Sequence, residues 1–396
     1  MKKLTRREWL QMTSLAAVSS LLPRNLLGGV LPVIDKPYDC NRVVRVYDAQ
    51  VSDYDFSDSA TFWDRIDTGR LQKMLRASIL KLSRKGSEKE AWDVILAGGK
   101  RDDLASKRVA VKVNFNNTIQ PLEPSLNNTP AMMTVIARSL IGAGVREDHI
   151  TFFDPSRPFP ELFKQKIRDA GLKSVNLLGN KDNIAESDKM IRLTDNAGHM
   201  RDGKSTEFMP IPQLVIDADC LINLHLVKVH YSGVTASMKN LVGLAPDVGF
   251  FMHNKGLPDF TNAFQLVDIT LNDEIKKRSV LNIAEFIYGG HSPNSIDKFT
   301  DPDFFPSGRP SSIIVSRSPF YQDIVCYDFI RAEYLSVDPA QMLPQYKKQG
   351  SDQWLRNGTL RYPEWKFEQA GFVYDKEKLP HGELKYENID YLSISI

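Results

Sequence analysis

An alternation of strand-like and helix-like segments limits the possible folds of this chain more than any other feature of its sequence. Residues 108–115, 149–154 and 175–178 have the pattern of strands, whereas 130–141 and 160–170 have the pattern of helices, each followed by a glycine. Strands that alternate with helices through short connections form largely parallel sheets with right-handed crossovers. The sequence therefore predicts an α/β fold with a largely parallel, doubly wound, Rossmann-like sheet.

The rest of the chain extends this pattern and divides it into three parts. Further strands are predicted at 43–51, 220–229, 280–288 and 312–316, and further helices at 62–82, 88–96, 235–244, 260–277 and 322–334. Residues 190–210 interrupt the alternation and predict a small antiparallel insertion. We therefore predict a signal segment (1–29), an α/β core (30–335) and a polar C-terminal extension packed on that core (336–396).

Charge and cysteine content exclude several classes of protein. The 396 residues carry a formal net charge of +2, but residues 1–28 hold five basic residues against Glu8, so the remainder carries −2. A chain of this charge lacks the basic footprint of a nucleic-acid-binding protein, and no such partner is expected. Cys40, Cys220 and Cys326 lack metal or redox spacing, which predicts no iron–sulfur cluster encoded in this chain. Cys220 and Cys326 lie in apolar runs and are expected in the core.

The N-terminal residues have the pattern of an export signal. The segment TRREWL, with Arg6 and Arg7 as its basic pair, precedes an apolar run at 12–22 that is too short to cross a bilayer as a helix. This order resembles the twin-arginine consensus. The twin-arginine translocation machinery is then an expected partner, and we expect a periplasmic or exported protein. Cleavage near Ser20 or Gly29 and retention as an anchor are both open.

Polar residues follow the predicted strands at the edge where parallel sheets bind ligands. Period-two alternation places Lys112, Asn114 and Asn116 on one face of their strand, which predicts either ligand contacts or a solvated face. Asp154 stands before Pro155 at the end of another strand. Aspartate in that position is more typical of a turn than of a catalytic acid.

The densest group of polar residues lies at 223–240. Lys228 and His230 are predicted on one strand face, and Thr235 and Lys239 are spaced i, i+4 on one face of the helix expected to follow. Free amides at a helix start, two lysines and a histidine favour a pocket for a carboxylate or phosphate. For any one of these side chains, the alternative is a solvated or backbone-bonded group. We predict His230, Lys228 and Lys239 as catalytic residues, and as ligand-binding residues Lys112, Asn114, Asn116, Thr235, Asn240 and His253.

Three further residues are interpreted from their positions. His291 lies in a predicted loop, where it could approach a ligand. Asp323 is expected to interact favourably with a helix N-terminus. Asp328 lies among apolar residues, and because an unpaired buried carboxylate is costly, we expect it to pair with Lys228 or Lys239.

Several of these residues form a pattern of short motifs, which are Lys112-Val-Asn114, Lys228-Val-His230, Gly233-Val-Thr235, and Lys239-Asn240 followed by Gly243. Together they resemble the domain-of-unknown-function 362 family over about residues 107–330. The resemblance implies an α/β core. Because many members are associated with ferredoxin-like iron–sulfur modules, it also leaves an envelope redox partner open. Where the family commonly has aspartate in a strand, this chain has Glu285 and no following glycine.

No motif in the sequence assigns a reaction. A phosphate-binding loop, a dinucleotide-binding glycine fingerprint, a nucleophile elbow and a paired-histidine zinc motif are all lacking. We predict an exported enzyme that acts on a small anionic ligand, with a divalent metal as an open possibility. The alternative is a non-catalytic periplasmic protein that binds a ligand or assists maturation.

Overall fold

The centre of the protein is an eight-stranded mixed sheet. The computed structural model describes residues 41–57, 59–98, 103–116, 125–230, 233–252, 264–336, 386 and 389–396. In chain order the strands are β1 (Arg42–Tyr47), β2 (Val109–Lys112), β3 (Ile150–Asp154), β4 (Asn176–Gly179), β5 (Glu186–Arg192), β6 (Met200–Arg201), β7 (Lys204–Ser205), β8 (Phe208–Pro212), β9 (Cys220–Leu226), β10 (Lys228–His230), β11 (Gly233–Thr235), β12 (Ser279–Phe286), β13 (Ser312–Ser316) and β14 (Asp390–Ser395).

The strand order confirms the predicted, largely parallel α/β sheet. Eight strands lie side by side in the order β14-β1-β13-β12-β9-β2-β3-β4. Neighbouring strands are parallel except where β13 pairs with β1 and with β12. The carboxyl ends of β9, β2 and β3 therefore lie at one edge of the sheet, where the polar residues of the predicted site follow.

Helices cover both faces of the sheet. In chain order the α-helices are α1 (Thr68–Ser83), α2 (Glu88–Ala97), α3 (Pro130–Ala143), α4 (Glu161–Asp169), α5 (Gln213–Asp217), α6 (Ser237–Leu241), α7 (Val248–Phe251), α8 (Phe264–Leu271), α9 (Asp273–Arg278) and α10 (Pro319–Ser336). One core contains apolar residues of α1 to α4, and the other those of α6, α8, α9 and α10. Because both faces are covered, all seven residues of β9 are buried.

Local capping explains where several helices begin. Asp67 accepts hydrogen bonds from the backbone of Gly69 at 2.8 Å and Arg70 at 3.0 Å. This N-cap starts α1 at Thr68, so the predicted helix 62–82 is wrong in its first turn, where a 3₁₀ helix (Ser59–Arg65) lies instead. Thr129 caps α3 in the same way, and Pro130 fits its first turn because no helical N–H is lost there.

The segment after β9 differs from the prediction. The predicted strand 220–229 ends at Leu226, and β10 leaves the sheet to pair antiparallel with β11. Val229 and Val234 face each other in that pair and are both buried, which favours strands over the predicted helix start. Thr235 therefore lies in a strand, and its predicted place on one helix face with Lys239 is wrong.

Two smaller features complete the described fold. The predicted antiparallel insertion is confirmed, since β5 pairs with β8 and the hairpin β6–β7 lies between them. At the sheet edge, β14 pairs parallel with β1, and Arg42 Nε donates to Asp390 Oδ2 at 2.7 Å. Most of the predicted extension and all of the predicted signal segment lie outside the described residues. Among the residues that are described, no helix is long and apolar enough to cross a membrane.

Candidate functional site

A cavity of about 80 Å³ opens where β2 and β3 end, beside β11 and α6. Its lining combines positive, amide and hydroxyl groups with one carboxylate. The lining residues are Lys112, Asn114, Phe115, Asn116, Asp154, Ser156, Arg157, His230, Thr235, Lys239, Asn240, Val242, Gly243 and Val248. The structure thus brings together most of the predicted site residues from segments far apart in sequence.

Lys112 and Asp154 form a buried ion pair at one wall. The ammonium Nζ of Lys112 lies 3.2 Å from Asp154 Oδ2 and donates to the Val113 carbonyl at 2.6 Å. Burial lowers the pKa of Lys112, and the carboxylate of Asp154 opposes that shift. Asp154 Oδ1 also accepts from the backbone N–H and hydroxyl of Ser156, so the predicted turn role of Asp154 is confirmed. The sequence did not predict its pairing with Lys112.

Gly243 gives the Lys112 ammonium its space. A Cβ atom at position 243 would lie 2.8 Å from Lys112 Nζ and 3.1 Å from its Cε. Contacts below 3.0 Å require one partner to move. The glycine therefore allows the lysine to lie against α6 and the turn that follows it.

Asparagine side chains fix the segment after β2. The backbone N–H of Asn114 donates to Asn128 Oδ1 at 2.6 Å, and that of Asn116 donates to Asn127 Oδ1 at 2.7 Å. Asn127 and Asn128 were not predicted from the sequence. The sequence feature that could have identified them is the polar run immediately before Pro130. Pro130 itself indicates only the start of a helix.

A chain of amide groups joins the cavity wall to the sheet. Asn114 Nδ2 donates to Asn240 Oδ1 at 2.9 Å, and Asn240 Nδ2 donates to Asn223 Oδ1 at 2.7 Å and to the Leu224 carbonyl at 2.9 Å. Asn223 Nδ2 in turn donates to Asn282 Oδ1 at 3.1 Å. The predicted ligand-binding residue Asn240 is 1% exposed, so its amide mainly holds Asn114 and the strand ends in place.

Three further cationic side chains lie near enough to interact electrostatically in or beside the cavity wall. Arg157 and Lys239 line the cavity, while Lys228 is 1% exposed behind it and donates to the Pro293 carbonyl. Burial lowers the pKa of Lys228 well below its usual value, and Lys239 and Arg157 lower it further. Burial and then Arg157 lower the pKa of Lys239 to about 8. Arg157 was not among the predicted site residues, because it stands in the turn after Asp154.

The guanidinium group of Arg157 is held by backbone carbonyls. Its Nε donates to Asn116 O at 2.9 Å and its Nη1 to Ser156 O at 2.8 Å. In the described part of the chain, no carboxylate forms an ion pair with it. The positive charge of Arg157 at the cavity is therefore not neutralised by a described neighbour.

Two polar atoms of the cavity residues have no hydrogen-bond partner among the described residues. They are the hydroxyl Oγ1 of Thr235 and the amide Oδ1 of Asn114, and both are buried. A buried polar atom without a partner costs roughly 1–3 kcal/mol, so water or another bound molecule commonly supplies the missing hydrogen bond. Their presence at this cavity favours a polar occupant.

A second buried carboxyl group lies next to the asparagine segment. Glu285 Oε2 accepts from Asn128 Nδ2 at 2.9 Å and from the backbone N–H of Thr129 at 3.0 Å. Burial raises the pKa of Glu285 to about 7, and the hydrogen bonds from Thr129 and Asn128 oppose the shift. Glu285 does not line the cavity; it binds Asn128, which in turn accepts a hydrogen bond from the backbone of the lining residue Asn114.

Other predicted site residues lie elsewhere. His291 is 8% exposed, and its Nε2 lies 3.0 Å from Glu333 Oε1, so the predicted free approach is wrong. Asp323 accepts from the backbone of Ser237 and Met238, and it thus caps α6 and not its own helix. The predicted residue His253 lies outside the described residues.

Asp328 is paired differently from the prediction. Its Oδ2 accepts from the Tyr386 hydroxyl at 2.8 Å, and the charge acting on its pKa is Arg331, not Lys228 or Lys239. The expected lysine pair is therefore wrong. The two cysteines of the predicted core, Cys220 and Cys326, are buried as expected.

The donor set at the cavity suits an anion better than a metal ion. Within the described ranges, no three His, Cys, Asp or Glu side chains lie together in a way that could hold a metal. Lys228, Lys239 and Arg157 would also repel a divalent cation. Lysine, arginine, hydroxyl and amide groups instead supply hydrogen-bond donors to an oxyanion.

The comparison with known proteins identifies a family. The profile of the family described as Domain of unknown function (DUF362) matches residues 109–328, more than half of the 396 residues. The chain belongs to this family. No curated protein matches the chain. The DUF362 region contains every lining residue of the cavity, from Lys112 to Val248.

Proposed function

We propose that the cavity of this DUF362 protein binds a small oxyanion and that the protein is an exported enzyme acting on that ligand. The observation that carries the proposal is the charge around the cavity. Lys112, Lys228, Lys239 and Arg157 lie in or beside its wall, and Asp154 is the single carboxylate among the lining residues.

The cost of burying these cations supports an anionic occupant. Lys112 has a carboxylate partner, but the charges that act on the pKa of Lys228 are Lys239 and Arg157, both positive. An oxyanion in the cavity would offset this repulsion and accept hydrogen bonds from Lys239 and Arg157. The unpartnered hydroxyl of Thr235 supplies a further donor.

An enzymatic role is favoured by the groups that can move protons. The pKa of Lys239 is lowered to about 8, so its amine and ammonium forms coexist near neutral pH. His230 lines the same cavity. The proposal needs no metal, and it assigns Lys228 a supporting charge in place of a direct contact.

Export is the second part of the proposal. Its support is the sequence TRREWL with Arg6 and Arg7, followed by a short apolar run. The ligand would then be met in the periplasm or outside the cell.

The test is thermal stability of the full chain with added ions. Phosphate, sulfate and citrate should raise the melting temperature, whereas methylammonium at matched ionic strength should not. A site filled at about 100 times its Kd adds about 2.7 kcal/mol of stability. Lys239→Met should remove most of the anion effect, while Lys204→Met, a change at an exposed lysine of β7, should keep it.

Each outcome has a defined meaning. Equal shifts with anions and with methylammonium would overturn the anion site. Stabilisation by an anionic metabolite that the protein also converts to product would support the enzyme. Stabilisation by such a metabolite without conversion would favour the non-catalytic binding or maturation protein.

A further inference from the structure

Lys239 is placed to do more than attract an anion. It belongs to α6, its side chain is half-buried, and it lines the cavity together with His230, Thr235 and Arg157. This inference rests on the proposed function, because it requires an anionic group of the ligand to be held in the same cavity. It identifies a second chemical group that the ligand carries in addition to its anionic group.

The surroundings of Lys239 favour an uncharged amine. Burial removes water from the ammonium ion, and the nearby guanidinium of Arg157 repels it, which lowers the pKa of Lys239 to about 8. At pH 7 the amine fraction is then roughly 300 times that of a lysine with the usual value of 10.5. A desolvated lysine next to another cation is a recognised form of activated nucleophile.

The other charged groups described at the cavity include the Lys112–Asp154 ion pair and the buried Lys228. Asp154 is engaged by Lys112 and Ser156. Lys228 lies behind the wall and adds positive charge. The cavity thus presents an amine beside a guanidinium group, and only the guanidinium group keeps its charge throughout the neutral range.

We infer that Lys239 forms a Schiff base with the carbonyl group of a small oxo acid, whose carboxylate is bound beside Arg157 in the same cavity. The cavity, of about 80 Å³, has room for a short oxo acid, which carries both a carboxylate and a carbonyl group. Phosphate would compete for the carboxylate position but has no carbonyl carbon to attack.

The reaction balances without any further reagent. The lone pair of Lys239 Nζ attacks the carbonyl carbon, forming a C–N bond while the C–O π electrons move to oxygen. The two amine hydrogens leave with that oxygen as water, and a C=N double bond remains. His230, which lines the cavity, is the described side chain suited to pass the proton to the departing oxygen.

The experiment is reductive trapping on the full chain. Pyruvate and cyanoborohydride are added at pH 7, and the modified peptides are identified by mass spectrometry. The peptide with Lys239 should be labelled at least tenfold more than the peptide with Lys204, an exposed lysine of β7. Phosphate should suppress labelling at Lys239 and leave that at Lys204 unchanged.

A pH profile separates chemistry from accessibility. Labelling of Lys239 should rise with pH through about 8. In Arg157→Gln the midpoint should move to higher pH, because the repelling charge is gone. A merely exposed lysine would not respond to Arg157 in this way.

The possible results distinguish this inference from the proposed function. If phosphate stabilises the protein but Lys239 is labelled no more than Lys204, the Schiff base is overturned and the anion site stands. If phosphate neither stabilises the protein nor suppresses labelling, the anion site fails, and this inference fails with it.

Discussion

Replacement of Gly243 by alanine is expected to destabilise the protein through one contact with Lys112. The backbone of Gly243 is not in the left-handed region, so alanine introduces no conformational strain there. Its Cβ would lie 2.8 Å from Lys112 Nζ, an atom that ordinarily could move away at little cost. Here the ammonium is buried and bonded to Asp154 and to the Val113 carbonyl, so it has little freedom to move.

Two known ranges bound the loss of unfolding free energy expected for Gly243→Ala. Overpacking of a buried site costs about 1–3 kcal/mol. Complete loss of the partner of a buried charge costs about 3–5 kcal/mol. Lys112 can shift by a few tenths of an ångström and keep part of its bond to Asp154. We therefore expect Gly243→Ala to lower the free energy of unfolding by about 1–3 kcal/mol, the range for overpacking.

The assay is urea unfolding of the full chain, with a matched glycine as control. Gly142 lies in α3, and a Cβ atom there would meet nothing within 4 Å. Gly142→Ala should therefore stabilise the protein by up to about 1 kcal/mol through helix propensity. The same chemical change is thus expected to have opposite signs at the two positions.

A double-mutant cycle identifies the cause. In the background Lys112→Leu with Asp154→Asn, the ammonium and its partner charge are both absent. Gly243→Ala should lose most of its cost there. If the cost is the same in both backgrounds, or if Gly243→Ala is as stable as Gly142→Ala, the contact between Gly243 and Lys112 is not what requires the glycine.

Two further predictions concern the buried carboxyl group of Asp328 and the N-terminal arginine pair. Burial raises the pKa of Asp328 from 3.8 to about 7, so the folded state favours the protonated form; this stabilisation is complete below pH 3.8 and lost as the pH rises through 7. Between pH 5 and pH 8, the free energy of unfolding of Asp328→Asn should therefore rise by about 2–3 kcal/mol relative to that of the unaltered protein. Parallel curves of unfolding free energy against pH for the two proteins would contradict this. Replacing both Arg6 and Arg7 by lysine should leave the protein in the cytoplasm. Normal periplasmic levels with the general secretory route blocked would refute the twin-arginine assignment.

The sheet could be predicted because its evidence is local and repeated. Buried strands such as β9 are largely apolar runs, and several helices have a start or stop residue such as Pro130 or Gly144. The errors lie where local patterns compete. The segment from Lys228 to Thr235 could continue a strand or begin a helix, and the buried pairing of Val229 with Val234 decided between them.

The site could be predicted in part for the same reason. Lys112 and Asp154 end adjacent parallel strands, so their presence at one edge followed from the fold. The partners of buried charges could not be predicted, because they depend on loops and termini. Asp328 accepts a hydrogen bond from Tyr386, which lies 58 residues further along the chain.

The residues of the Lys239-Asn240-x-x-Gly243 motif, which spans α6 and the turn that follows it, have different roles. Lys239 in α6 and Gly243 in the short 3₁₀ turn after it both line the cavity. Asn240 is rotated by one position toward the sheet, where its amide donates to the Leu224 carbonyl and accepts from Asn114. A change at Lys239 should therefore alter ligand binding with little effect on unfolding, whereas a change at Gly243 should alter both, since it moves the lysine that β2 contributes to the same wall.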